Sequence, residues 1–71
     1  MTITIKDEFI KLGQALKLAD LVSDGAAAKM EITSGLVKVN GEVDTRRGRK
    51  LYPGDSFTYK GETCLIQSKD Q

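Results

Sequence analysis

Polar and apolar residues alternate from Thr2 to Ile5, with β-branched side chains throughout, which predicts a short strand. Lys6-Asp7-Glu8 interrupts the pattern, and Phe9 to Lys11 fits either a second extended piece or the start of a helix. From Leu12 the period lengthens. Leu12, Ala15, Leu16 and Ala19 fall at i, i+3, i+4 and i+7 and line one helical face, while Lys11, Gln14, Lys17 and Asp20 point elsewhere. Leu18, Leu21 and Val22 widen the apolar area towards the end of this helix. At about two to three turns it is too short to be stable alone and must dock on the rest of the chain.

Ser23 is placed to cap a second helix, with Asp24 in its first turn, where a negative charge suits the helix dipole. Ala26 to Met30 favour helix, Ala28 and Ile32 share a face, and Gly35 supplies the stop. The two helices therefore form a compact pair. The period then shortens again: Val37 and Val39 alternate with Leu36, Lys38 and Asn40, and Asn40-Gly41 is a strong hairpin signal leading to a return strand at Glu42-Val43-Asp44. Thr45 to Lys50 is polar and basic and reads as a loop or irregular edge. Tyr52-Pro53-Gly54-Asp55 is a turn. Phe57 to Tyr59 and Thr63 to Ile66 read as strands joined near Lys60-Gly61, and Ser68 to Gln71 as a frayed tail. The expected fold class is α+β, with two short helices early and a strand-rich second half, in one domain over residues 1–71.

Composition narrows the chemistry. The 71 residues have a hydrophobic share of 39%, with two Phe, two Tyr and no Trp, so the core is thin and aliphatic. There is no His, hence no imidazole base, no Ser-His or Cys-His pair and no mixed Cys/His zinc site. The single Cys64 cannot form an internal disulfide and has no neighbour to lower its pKa, so it reads as a small buried residue. No GxGxxG-type loop is present, and no metal, cofactor or catalytic set is expected. No apolar run approaches a membrane span, and the first residues lack a secretory pattern, which points to a cytoplasmic protein.

The formal charge of +1 hides an uneven distribution. Residues 1–45 carry five basic and seven acidic side chains, whereas residues 46–71 carry six basic and three acidic. Arg46, Arg47, Arg49 and Lys50 crowd around Gly48 and are expected to raise a local positive field, with no compensating acid close by. Arginine is well shaped for phosphate. Glu42 and Asp44 read as a solvated strand face with weak ion pairs at most. Tyr52 and Tyr59, in segments short of apolar mass, read as core packing rather than stacking groups.

Two short helices, a Gly and Leu36-Val37-Lys38-Val39-Asn40-Gly41-Glu42-Val43 form a recognisable series. With Leu12 to Asp20, Ala28-Lys29, Arg46-Arg47-Gly48-Arg49-Lys50-Leu51 and Gly54-Asp55, the chain resembles the RNA-binding domain first described in bacterial ribosomal protein S-four, also called the alpha-L motif. The resemblance covers roughly residues 12–66 and is closest to the stand-alone YaaA-like and YbcJ-like small bacterial members. It implies two short N-terminal helices packed on a small, mostly antiparallel sheet, with RNA bound on a face of the helices and adjoining loops. Carried over by position, the RNA-binding residues are Lys11, Lys29, Lys38, Arg46, Arg47, Arg49 and Lys50, to which Lys17 on the polar side of the first helix is added as a candidate. The start of the second helix, Ser23-Asp24-Gly25, departs from larger members in having an acid in place of an Arg. The expected function is non-enzymatic binding of structured ribosomal RNA during ribosome assembly, by a monomer with no small-molecule substrate. The alternative is a protein adaptor whose basic loop docks on an acidic partner.

Overall fold

The computed structural model describes residues 1–69. In chain order the elements are β1 (Thr2–Ile5), β2 (Ile10–Lys11), α1 (Leu12–Leu18), α2 (Gly25–Thr33), β3 (Val37–Val39), β4 (Glu42–Val43), β5 (Lys50–Leu51), β6 (Ser56–Tyr59) and β7 (Glu62–Ser68). The helices thus follow two strands rather than opening the chain. Five strands form a sheet in the order β1-β7-β6-β3-β4, and β2 and β5 form a separate two-stranded ribbon. The pairings are antiparallel except for β1 against β7, which is parallel with Thr2 opposite Leu65 and Ile5 opposite Ser68.

Local chemistry accounts for most of these elements. The buried face of α1 is Leu12, Ala15 and Leu16, while Leu18 stands exposed and does not extend it. Ala19, Leu21 and Val22 are half-buried against the core. The turn after α1 closes through Leu21 N–H to the Leu16 carbonyl and Asp20 N–H to the Lys17 carbonyl, with Asp20 at φ 60°. The cap of α2 is Asp24, one residue later than expected: its carboxylate accepts from Ala27 N–H at 2.8 Å, and the helix begins at Gly25. Gly35, at φ 80°, ends α2 with the same pair of bonds, from Leu36 N–H to Glu31 and from Gly35 N–H to Ile32.

Asn40 and Gly41 both have positive φ, the geometry that lets a two-residue turn follow the twist of β3 and β4. The Asn40 side chain also accepts from Ser56 N–H and donates to Asp55, tying this hairpin to the Tyr52–Asp55 turn. Phe9–Lys11 resolves as extended: β2 pairs with β5, Ile10 opposite Leu51 and Lys11 opposite Lys50. Lys50 is therefore a strand residue and not part of the loop. Ser68 belongs to β7, and Lys69 N–H donates to the Ile5 carbonyl at 2.8 Å, so these two residues are tied to the sheet. The rest of that expected tail, Asp70 and Gln71, lies outside the described residues.

Alternation along the strands sends Ile3, Ile5, Val37, Val39, Phe57, Tyr59, Cys64 and Ile66 inward, where they join Leu12, Leu16, Ala28, Ile32 and Leu51 in one cluster. Tyr59 and Cys64 are buried as expected, and burial pushes the Cys64 thiol pKa up. Tyr52 is not core: it is 43% exposed. Asp44 reverses expectation in the other direction, with only 6% of its surface exposed.

Candidate nucleic-acid interface

The site is organised by the loop between β4 and β5. Helix α1 starts at Leu12 with no side-chain cap, so its first N–H groups need partners from elsewhere. The loop provides them: Leu12 N–H donates to the Arg49 carbonyl at 2.8 Å and Gly13 N–H to the Arg47 carbonyl at 3.1 Å. Two backbone bonds thus fasten the basic segment to the head of α1. Gly13 makes the approach possible, because a Cβ there would stand 2.8 Å from Cγ of Arg47.

Asp44 fixes the other side of the loop. Its Oδ1 accepts from the backbone N–H and Nε of Arg46 at 2.9 and 3.0 Å, and its Oδ2 accepts from Nη2 of Arg46 at 2.7 Å and Nη1 of Arg49 at 2.6 Å. This is a two-pronged arginine–carboxylate pair with a second arginine added. The Arg46 hydrogen bonds, reinforced by Arg49, hold the carboxyl well below the usual carboxylate range, against the opposing effect of burial. The same contact raises the Arg46 pKa. The cluster therefore has a compensating acid after all, and Asp44 is a buried clamp rather than part of a solvated face.

The remaining cations behave differently. A cleft of about 300 Å³ opens between α1, the start of α2 and the loop, lined by Lys11, Gly13, Gln14, Lys17, Gly25, Ala28, Arg47 and Gly48. Three of these carry positive charge and none is acidic. Lys50 adjoins them as the cross-strand partner of Lys11. Like charges directly opposite on a strand pair repel, which makes this edge locally electropositive. The fold thus unites Lys11, Lys17, Arg47 and Lys50. It pairs Arg46 and Arg49 with Asp44, the Arg46 side chain remaining exposed. Lys29 is exposed on α2 next to Ala28 but outside the cleft lining. Lys38 lies between the buried Val37 and Val39, so alternation turns it to the outer face of the sheet, opposite Thr58 and Val43.

Sequence reasoning missed Gly13 and Asp44. A glycine inside the first turn of a short helix, where it costs about 1 kcal/mol relative to Ala, was a readable signal of close approach. So was an acid two residues ahead of Arg46 and five ahead of Arg49.

The cleft thus brings Lys11, Lys17 and Arg47 together with no acidic side chain in its lining. The sequence model of the S4 domain matches residues 3–67, and the chain belongs to this RNA-binding family. Among its relatives is the “Probable ribosome maturation protein RlbA” of Bacillus subtilis (strain 168), 51% identical over 59 residues that cover 83% of each chain. The “Putative RNA-binding protein YbcJ” of Escherichia coli (strain K12) is 36% identical over 61 residues, 86% of this chain and 87% of that one. The solution structure of YbcJ from E. coli, described as revealing an αL motif involved in RNA binding, matches with a TM-score of 0.72. That superposition has 33% identity and covers 93% of this chain and 85% of YbcJ. Among the described residues no helix is long and apolar enough to cross a membrane, and no group of His, Cys, Asp or Glu could hold a metal ion.

Proposed function

We propose that this chain is a non-enzymatic protein that binds structured ribosomal RNA and assists ribosome assembly. The observation that carries the reading is the cleft whose charged lining is Lys11, Lys17 and Arg47, with Lys50 beside Lys11. RNA supplies what such a surface lacks, a row of phosphates at regular spacing. The backbone bonds from α1 to the loop and the Asp44 clamp hold the loop backbone and the Arg46 and Arg49 side chains before RNA arrives, so less of the loop has to be ordered on binding. The ribosomal part of the reading draws support from the name of the B. subtilis relative. The chain acts as a single copy in the cytoplasm, needing neither cofactor nor metal.

Salt dependence tests the RNA contact. With about four phosphates engaged on an unpaired stretch, raising salt from 50 to 200 mM weakens binding by ~50-fold. A flat response would remove the cleft as the contact surface. Cosedimentation with ribosomal particles tests the biological setting: association should disappear after nuclease treatment. Association that survives nuclease would instead make the basic loop a docking site for an acidic protein.

A further inference from the structure

The ribbon formed by β2 and β5 has two unlike faces. Ile10 and Leu51 turn towards the core, and Leu51 is fully buried. Alternation places Phe9, Lys11, Lys50 and Tyr52 on the opposite face. The chain has four aromatic residues, and Phe57 and Tyr59 are buried. The other two meet here, with ring centroids 5.8 Å apart and planes tilted by 51°. The Lys50 ammonium lies 4.8 Å from the centre of the Phe9 ring. Phe9 supports Tyr52 from a half-buried position, while Tyr52 remains 43% exposed.

We propose that Phe9 and Tyr52 form a stacking ledge for an unpaired base of the bound RNA, with Lys11 and Lys50 holding the adjoining phosphate. The inference rests on the RNA-binding reading above and adds a base-contacting site to a surface otherwise built for phosphates. Two independent features point to this ligand. A large ring held in water beside another ring offers a flat apolar face of the kind on which bases stack. Beside it, Lys11 and Lys50 face each other across the ribbon, an arrangement that a bridging phosphate relieves. The ledge is also continuous with the cleft. Lys11 lines the cleft, and Phe9 borders a shallower depression of about 610 Å³ that shares Gln14 and Lys17 with it. A strand of RNA crossing the head of α1 can therefore lay phosphates on Lys17 and Arg47 and a base on Tyr52.

The test compares a stem–loop RNA with the same stem made as a blunt duplex, whose bases are already stacked and unavailable. Tyr52→Leu keeps apolar bulk without an aromatic face. It should lower stem–loop affinity by about 5- to 100-fold and change duplex affinity far less. Tyr52→Trp keeps a ring and adds the only indole in the chain, so its fluorescence should be quenched by the stem–loop and not by the duplex. Equal losses on both RNAs with Tyr52→Leu, no loss on either, or an indole unresponsive to the stem–loop would each overturn the ledge. Failure of the wild-type chain to bind either RNA would overturn the RNA reading itself, and the ledge with it.

Discussion

Arg46 and Arg49 share a short loop with Arg47, yet the fold gives them different work. The first two reach back to Asp44, a carboxylate with 6% of its surface exposed, and their charge is partly spent on holding the loop in shape. Arg47 contributes its carbonyl to α1 and its side chain to the open cleft, among lysines and away from any acid that lines it. Charge density along a sequence therefore overstates the charge a partner meets. What a partner meets is the residue left over after the protein has satisfied its own buried groups.

The largest effect should come from breaking the clamp. Asp44→Asn keeps the size of the side chain but removes the charge that both arginines address, and should lower folding stability by about 2 kcal/mol at neutral pH, read from denaturant midpoints. The pH dependence has a definite sign. The native carboxyl binds a proton more weakly than the unfolded one, so its contribution is complete above the ordinary carboxylate range, near pH 4, and drains away as the pH falls further towards the native value. The gap between wild type and Asp44→Asn should therefore narrow in acid. A variant as stable as wild type at neutral pH would show that the loop is held without Asp44.

Arg47→Ala should come next, with little change in stability and an affinity for RNA lower by about tenfold, the value of one charged hydrogen bond of ~1.4 kcal/mol. It should also flatten the slope of log affinity against log salt by about 0.7. Gly13→Ala probes the same contact from the other side. The added methyl would stand 2.8 Å from Arg47 Cγ, so the side chain must leave its place, while better helix propensity offsets part of the strain. We expect stability within about 1 kcal/mol of wild type and an affinity loss smaller than that of Arg47→Ala. The smallest effect belongs to Lys38→Ala on the outer sheet face. A loss equal to that of Arg47→Ala would place RNA on the sheet as well as in the cleft.

The parts of the fold that could be read from the sequence are those decided within a few residues. The apolar stripe of α1, the Asn40-Gly41 hairpin and the Tyr52–Asp55 turn follow from spacing and turn chemistry, and the structure contains all three. What escaped depends on distant partners. The choice between strand and helix at Phe9–Lys11 is made by Lys50 and Leu51, about forty residues on. Asp44 reads as a surface acid until Arg46 and Arg49 turn back over it. Tyr52 looks like core material because its segment needs apolar mass, but Leu51 takes the inward position and alternation leaves Tyr52 outside. In the candidate site, residue type marked the basic segment, while the division between arginines paired with Asp44 and cations lining the cleft needed three dimensions.

The parallel pairing of β1 with β7 also bears on how the chain is made. Thr2–Ile5 has its hydrogen-bonding partner in residues 65–68, nearly the full length of the chain away. Such a pairing requires closing a long loop and is among the slowest contacts to form. During synthesis β1 stays unpaired until residues 65–68 have followed it. The helix pair and the β3–β4 hairpin, whose partners are close in sequence, have no such wait. Sealing the β1 edge is thus expected to be a final event in folding, and a chain cut short before Leu65 would leave β1 with its ladder bonds unmade.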